Sequence, residues 1–198
     1  MSDVRLERLT GERLRTSLPE LARLRITVFR DFPYLYEGSP AYEERYLQTY
    51  AAAADSVIVG ACDGEAIVGA ATGLPLEHEP ESLTRPFAER GYRVQEIFYF
   101  GESVLLPAYR GRGIGVGFFQ EREAHALGLG RFTHATFCGV VRPTDHPRRP
   151  KDHVPLDAFW RKRGYAPIPG LIGHLRWQDL DEAEESDKPM QFWIKHLR

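Results

Sequence analysis

Leu105-Leu106-Pro107-Ala108-Tyr109-Arg110-Gly111-Arg112-Gly113-Ile114-Gly115-Val116-Gly117 is the stretch on which the reading of this chain turns. Upstream, Val94 to Leu106 is rich in β-branched and aromatic residues and reads as a long strand, interrupted at Gly101, where a bulge or splay is expected. Downstream, Phe118, Phe119, Ala126 and Leu129 recur near helical spacing and predict a helix to about Leu127, with Arg122 intervening. The glycines therefore fall between the end of a strand and the start of a helix. Amides there have no intrahelical partner and lie at the positive end of the helix dipole, and glycine lets a phosphate approach them closely. Two phosphate-binding patterns fail on spacing. The Walker loop needs a lysine and a hydroxyl after its last glycine, and neither is present. The dinucleotide fingerprint Gly-x-Gly-x-x-Gly fails because Gly111-x-Gly113 leads to Val116 and Gly113-x-Gly115 leads to Phe118.

Outward from this stretch the chain is mixed α/β. Val4 to Leu9 alternates apolar and polar residues as a strand with one wet face does. Ser17-Leu18-Pro19-Glu20 has a capping serine, a carboxylate three residues on and an early proline, which predicts a helix from there to about Phe29. An aromatic loop, Asp31 to Pro40, precedes a helical stretch from Ala41 to Ala53. Asp63-Gly64 separates two apolar runs, Ser56 to Cys62 and Glu65 to Ala71, and suits a tight hairpin. Glu77 to Gly91 is charged and partly helical, and Thr133 to Val141 is a further strand. Arg142 to Pro155, with four prolines, is a loop. Asp157 to Arg163 is a short helix stopped by Gly164. Late strands near Leu171 to Trp177 and Met190 to His196 flank an acidic turn. The pattern implies one layer of sheet with helices on its faces.

The 198 residues suit one domain spanning 1–198. Twenty-six Lys plus Arg against 28 Asp plus Glu give a net charge of −2, which offers no electrostatic reason for a nucleic-acid or anionic-membrane partner. Cys62 and Cys138 sit in apolar runs and read as buried thiols. The histidines lack the spacing and companion acids of a zinc site, so no metal is expected. With neither a signal-like N-terminus nor an apolar stretch long enough to span a bilayer, the expected location is the cytoplasm.

Arg110, Gly113 and Gly115 fit Arg-x-x-Gly-x-Gly, and the longer string Leu-x-Pro-x-Tyr-Arg-Gly-x-Gly-Ile-Gly from Leu105 is more specific still. It resembles the acyl-CoA signature of the GCN5-related N-acetyltransferases. Phe159-Trp160-Arg161-Lys162-Arg163-Gly164-Tyr165 is similar to the family's late helix and turn, in the expected order. The resemblance implies an acyl-CoA N-acyltransferase fold: a single central, mostly antiparallel sheet with splayed strands, flanked by helices. It implies acetyl-CoA as cosubstrate and a primary amine as acceptor, with direct attack in a ternary complex. Pantetheine would lie in the splay, its amides on backbone groups of Val104, Leu105 and Leu106. Amides from Arg110 through Gly111, Arg112, Gly113, Ile114 and Gly115 to Val116 would hold the pyrophosphate, with charge from Arg110 and Arg112.

Such a reaction needs a proton acceptor for the amine. Relatives use a carboxylate on the long strand, and Glu102 and Glu96 are the candidates here; regular alternation would point both the same way, and a bulge at Gly101 would undo that parity. The tyrosine that protonates the departing thiolate in many relatives aligns with Trp160, which implies a packing role beside pantetheine and leaves Tyr99, Tyr109 or water as the acid. Tyr165 would anchor the turn to the sheet. Tyr34 and Tyr36 are placed to line the acceptor pocket. Arg142, Arg148, Arg149, Lys151, His146 and His153 concentrate in one loop, as a solvated basic segment or a contact for the 3′-phosphate or an anionic acceptor. Gln191 to Ile194 offers apolar surface for a homodimer. A non-catalytic acyl-CoA-binding module, a longer acyl group and a hydroxyl acceptor remain alternatives.

Overall fold

The hairpin forms where Asp63-Gly64 places it: β2 (Val57–Asp63) and β3 (Ala66–Pro75) pair antiparallel around Gly64, whose φ of +60° suits a residue without a Cβ. The structure, a computed structural model, describes residues 4–197. β1 (Arg5–Arg8) borders β2, and the remaining strands are β4 (Ile97–Tyr99), β5 (Ser103–Leu105), β6 (His134–Val140), β7 (Ala166–Trp177) and β8 (Ser186–His196). They form one eight-stranded sheet in the order β1-β2-β3-β4-β6-β8-β7, with β5 paired to β3 off this path. All pairings are antiparallel except β4 with β6. That parallel pair needs a crossover, which runs through α4 (Ile114–Gly128).

Apolar side chains of α1 (Gly11–Phe29), α2 (Pro40–Ala52) and α3 (Glu81–Ala88) join one buried cluster with Ile58, Ile67, Leu74 and Tyr99. Those of α4 and α5 (Asp157–Lys162) join a second with Val59, Val68, Phe98, Phe100 and Phe137. The sheet is thus covered on both faces.

The interruption expected at Gly101 within the strand over 94–106 is present, and the strand starts later than expected. Val94–Glu96 is a 3-10 turn, β4 holds three residues, and Phe100 to Glu102 lies outside any strand before β5 begins. The pair Tyr99–Thr136 is the last that β4 makes with β6, and the Phe100 amide adds a bond to the Thr136 carbonyl (2.8 Å). Beyond it the chain leaves β6 and stays with β3, its other neighbour: Gly101 donates to Thr72 O (3.1 Å) and Thr72 to Glu102 O (3.0 Å). β5 then pairs with β3 alone, while Phe137 to Val140 pair with β8 alone. The sheet opens between them. Gly101 is required at the break, because a Cβ there would lie 2.2 Å from the Tyr50 hydroxyl and 2.7 Å from Thr72 Oγ1. Buried Arg122 covers the break from α4, donating to the carbonyls of Thr72 (3.1 Å) and Glu102 (3.0 Å) and to Ser103 Oγ (2.8 Å), with its guanidinium over Phe100. Burial lowers its pKa to about 10, which leaves it charged at neutral pH.

Other expectations shift. α1 begins at Gly11 rather than Ser17, with Pro19 inside it; the Ser17 hydroxyl donates back to Arg13 O (2.7 Å) instead of capping. β7 and β8 start earlier than their apolar runs suggested, at Ala166 and Ser186. Phe192 and Trp193, expected to offer a dimer surface, are 0% and 3% exposed, because β8 lies inside the sheet and its apolar side chains fill the chain's own core. Among the described residues no helix is long and apolar enough to cross a membrane.

Candidate active site

The glycine-rich turn leads from β5 through a 3-10 turn, Pro107–Tyr109, into α4. Gly111 (φ +75°) and Gly113 (φ +83°) adopt left-handed backbone, and a Cβ on either would meet nothing within 4 Å. The chain is therefore bent around open space. Arg110 N donates to Pro107 O (3.2 Å) and Val116 N to Gly113 O (2.9 Å), so both ends of the expected amide run are already bonded. Between them, the amides of Gly111, Arg112, Gly113, Ile114 and Gly115 donate no backbone hydrogen bond among the described residues, which leaves five neighbouring donors. The Arg110 side chain bonds Leu105 O (3.2 Å) and that of Arg112 bonds Ala108 O (2.9 Å); among the described residues neither forms an ion pair. Free amides, glycines and two spare cations fit a pyrophosphate.

The opened sheet adjoins this turn. Because Leu106 N donates to Val68 O (3.0 Å) and Glu102 O accepts from Thr72, the even-numbered residues of this segment turn their main chain to β3. Val104 and Leu106 are thus spent, against expectation, and Leu105 alone of the three turns its amide and carbonyl away from β3, the carbonyl also accepting from the Arg110 side chain (3.2 Å). Trp160 stands on the other flank, its ring 5.0 Å from those of Phe137 and Trp193. Its edge leans on Gly139, where a Cβ would lie 2.9 Å away. Tyr165 is buried against Phe119 and Phe137, and its hydroxyl donates to Glu123 (2.9 Å).

Under the splay, on the α1–α2 face, buried polar groups form a chain. Tyr46 and Tyr50 are one helical turn apart on α2, which sets their hydroxyls 3.0 Å from each other. The Tyr46 hydroxyl donates to Glu102 Oε2 (3.1 Å) and that of Tyr50 to Glu79 Oε1 (2.8 Å). Arg25, on α1, is ion-paired with both Glu43 and Glu102. Its guanidinium lies 4.2 Å from the Tyr46 ring centroid. Burial opposes the Arg25 charge, but Glu102, Tyr46 and Glu43 override it and hold the pKa well above the ordinary value. Tyr99, the last residue of β4, touches Cys138 Sγ through its hydroxyl (3.2 Å), and burial pushes the Cys138 thiol up to about 12. Glu79 stands alone in this group: burial raises its pKa to about 7 in spite of the Tyr50 hydrogen bond, with the Glu102 charge adding to the rise.

A family model described as the acetyltransferase (GNAT) family matches residues 21–150. The chain belongs to the GNAT acetyltransferase family. Many solved structures share the GNAT fold. A ribosomal-protein-alanine N-acetyltransferase from Brucella melitensis is 14% identical, with 97% of this chain and 99% of that one covered at a TM-score of 0.61. An acetyltransferase from Thermus thermophilus is 14% identical, with 99% of each covered at 0.59. A Salmonella typhimurium protein solved with its cofactor acetyl-CoA is 7% identical, with 100% and 95% covered at 0.61. A search of curated proteins found no match.

In this GNAT fold the two candidate carboxylates are separated, the break at Gly101 undoing their parity. Glu102 lies at the splay, its side chain 6% exposed and both oxygens engaged. Glu96 precedes β4, at the end away from the opening, paired with Arg93 (2.7 Å). Tyr34 packs on Phe29 and Trp177, and its buried hydroxyl feels the charges of Cys138, Glu102 and Arg25; burial is the main cause of its raised pKa. Tyr36 instead bridges to Asp179, which fixes the loop, and burial with the Glu43 charge raises its pKa. Tyr109, one of three candidates for the thiolate acid, is tied to Asp63 (2.8 Å) at the hairpin, whereas Tyr99 lies at the opening.

The basic loop is only partly solvated. Arg142 is half-buried, bidentate on Asp179 (2.6 and 2.9 Å) and bonded to the carbonyls of Pro33 (2.7 Å) and Tyr34 (2.8 Å), so it fastens loop to loop and is not available for an anion. His146 and His153 flank Phe32. Arg110 and Arg148 reach a cavity of about 500 Å³ with Phe32 and His153. Among the described residues no group of three or more His, Cys, Asp or Glu is placed to hold a metal. Sequence reading missed Glu79, Arg25, Tyr46 and Tyr50. The signals for them were a basic residue in the stripe with Leu21 and Ala22, and two tyrosines at helical spacing.

Proposed function

We propose that this GNAT protein transfers the acetyl group of acetyl-CoA to a primary amine by direct attack in a ternary complex. The observation that carries the reading is the continuity of one path. Five unpaired amides from Gly111 to Gly115 lie at the foot of a gap in the sheet, and the far side of that gap is a buried tyrosine–carboxylate face. Acetyl-CoA bound there supplies a thioester whose carbonyl carbon accepts the nitrogen.

The amides of Gly111 to Gly115, with Arg110 and Arg112, hold the pyrophosphate. Leu105 offers its amide and carbonyl to pantetheine, and Trp160 packs beside it. Tyr34 lines the acceptor side, where Tyr99 is the hydroxyl nearest the departing sulfur. Glu102 keeps Arg25 and Tyr46 in place at the opening, and Glu96 takes no part. An acceptor that arrives as an ammonium suits a face rich in carboxylate and tyrosine oxygens.

Calorimetry with acetyl-CoA and thiol detection of released CoA test the reading, using a panel of spermidine, glucosamine, lysine amide and a peptide with a free alanine N-terminus. Binding together with amine-dependent CoA release is expected. Absence of binding refutes the reading, and binding without release from any amine or alcohol marks the non-catalytic module instead.

A further inference from the structure

We propose that Glu79 is the proton acceptor for the attacking amine, coupled to Glu102 through the hydroxyls of Tyr50 and Tyr46. This rests on the acetyl-transfer reading and names a group which that reading left open.

The geometry separates the two carboxylates. Glu102 has one oxygen on Arg25 and the other on Tyr46, so a proton arriving there must displace a buried cation or a hydroxyl. Glu79 has no cationic partner among the described residues, and the Tyr50 hydroxyl reaches Oε1 alone. It is half-buried, at the end of the 3-10 turn that follows β3, and so open to an entering substrate as Glu43, at 0% exposure, is not. Its carboxyl acts on Tyr99 and on Cys138, the residues that meet at the mouth of the splay. The groups facing it are Tyr50 and Tyr46 from α2, Tyr99 from β4, Glu102 from the β4–β5 turn and Cys138 from β6, and none of them is a cation. Desolvation without a counter-charge is what sets its pKa near 7, in the range where a general base both accepts and returns a proton at neutral pH.

The protons balance without another reactant. An ammonium reaching the site gives one proton to Glu79 and becomes a free amine. The nitrogen then bonds to the thioester carbonyl carbon as the carbon–sulfur bond breaks. The second proton leaves nitrogen with the sulfur, yielding an amide and a thiol. Glu79 finally releases its proton to water. The tyrosine pair lets Glu79 and Glu102 share the charge change, because each hydroxyl can reorient along the chain.

The full-length protein is assayed with the fastest amine of the panel. Glu79→Gln, which keeps the oxygen that accepts from Tyr50, should leave acetyl-CoA affinity unchanged, lower kcat/KM about 100-fold at pH 7 and remove the acidic limb of the pH–rate profile. Glu79→Asp should restore part of the rate together with the limb, which a merely structural role would not do. Glu79→Gln that keeps both rate and limb overturns the proposal. A 13C titration of the carboxyl carbons needs no acceptor: the resonance missing from Glu79→Gln should titrate near 7 in the wild type, and a midpoint in the ordinary carboxylate range overturns it. Wild-type protein that neither binds acetyl-CoA nor releases CoA overturns both readings, whereas loss of the Glu79 effects alone leaves acetyl transfer standing.

Discussion

Replacing Arg25 by methionine removes the one cation that serves two buried carboxylates. Arg25, Glu43 and Glu102 have side chains 9%, 0% and 6% exposed, so solvent does little to substitute for the missing charge. Breaking such a pair by deleting one partner costs about 3–5 kcal/mol, because the other charge stays buried. Methionine replaces much of the aliphatic stem, which keeps the cavity small. Glu102 retains the Tyr46 hydroxyl, which moderates the loss, whereas the guanidinium's contact with the Tyr46 ring disappears. A net loss of about 4 kcal/mol at pH 8 follows. With a urea dependence of about 2 kcal/mol per molar, the unfolding midpoint falls by about 2 M. Urea unfolding of both proteins at pH 8 measures this. A loss under about 1 kcal/mol refutes an electrostatic role and assigns Arg25 to packing.

Gly113→Val forces a β-branched residue to φ +83°, at a strain of about 1–2 kcal/mol, and points methyl groups into the space before the free amides; acetyl-CoA affinity should fall at least about tenfold with the fold retained, and unchanged binding by calorimetry contradicts the phosphate cradle. Arg142→Met releases the fastening between Asp179 and the carbonyls of Pro33 and Tyr34, so trypsin should cleave at Arg148 or Lys151 faster than in the wild type; equal cleavage rates count against it. A carboxyl whose pKa is raised by folding supports the native state below its unfolded value of about 4.5 and withdraws that support as pH rises through 7. Glu79→Gln should therefore match the wild type near pH 4 and exceed it in stability at pH 8, which urea midpoints will show. Glu182 is the opposite case, held down to about 2 first by the Lys188 hydrogen bond, so its contribution is present above about 4.5 and lost as pH falls toward 2; Glu182→Gln should narrow the acid stability difference between pH 5 and pH 2.5.

What the sequence disclosed was local. The glycine turn, the Asp63-Gly64 hairpin and the stop at Gly164 each depend on backbone conformations available to few residues, and all three can be read within a few positions. Gly101 announced an interruption within residues 94–106 but not which neighbour would be lost there. Apolar content is high throughout, and the break depends on the chain keeping β3 and losing β6 after Phe100, a choice fixed by partners distant in sequence, as Thr72 and Thr136 are. The break undoes the parity of Glu96 and Glu102, which holds only along one uninterrupted strand. The polar chain under the splay was hidden more deeply. Arg25, Glu43, Tyr46, Tyr50, Glu79 and Glu102 come from separate segments, and only α1–α2 packing and the turn after β3 bring them together. Dispersed charges of this kind look like ordinary surface residues until burial is known. The apolar segment 191–194 misled in the other direction, because a strand between two neighbours needs hydrophobic residues for its own core.

The short strand β4, with one flanking bond at each end from Glu96 and Phe100, ties the plate formed by β1, β2, β3 and β5 to the plate formed by β6, β8 and β7. A hydrogen-bonded seam that short has little stiffness against twisting, so the width of the cleft is governed by what lies within it and by the helices strapped across it. Under the proposed reaction, a thioester ligand seated there would act as a mechanical brace as well as a reactant. Amide exchange at Phe98 and Tyr99 should consequently slow on its arrival more than exchange in the hairpin of β2 and β3, whose long ladder is already rigid.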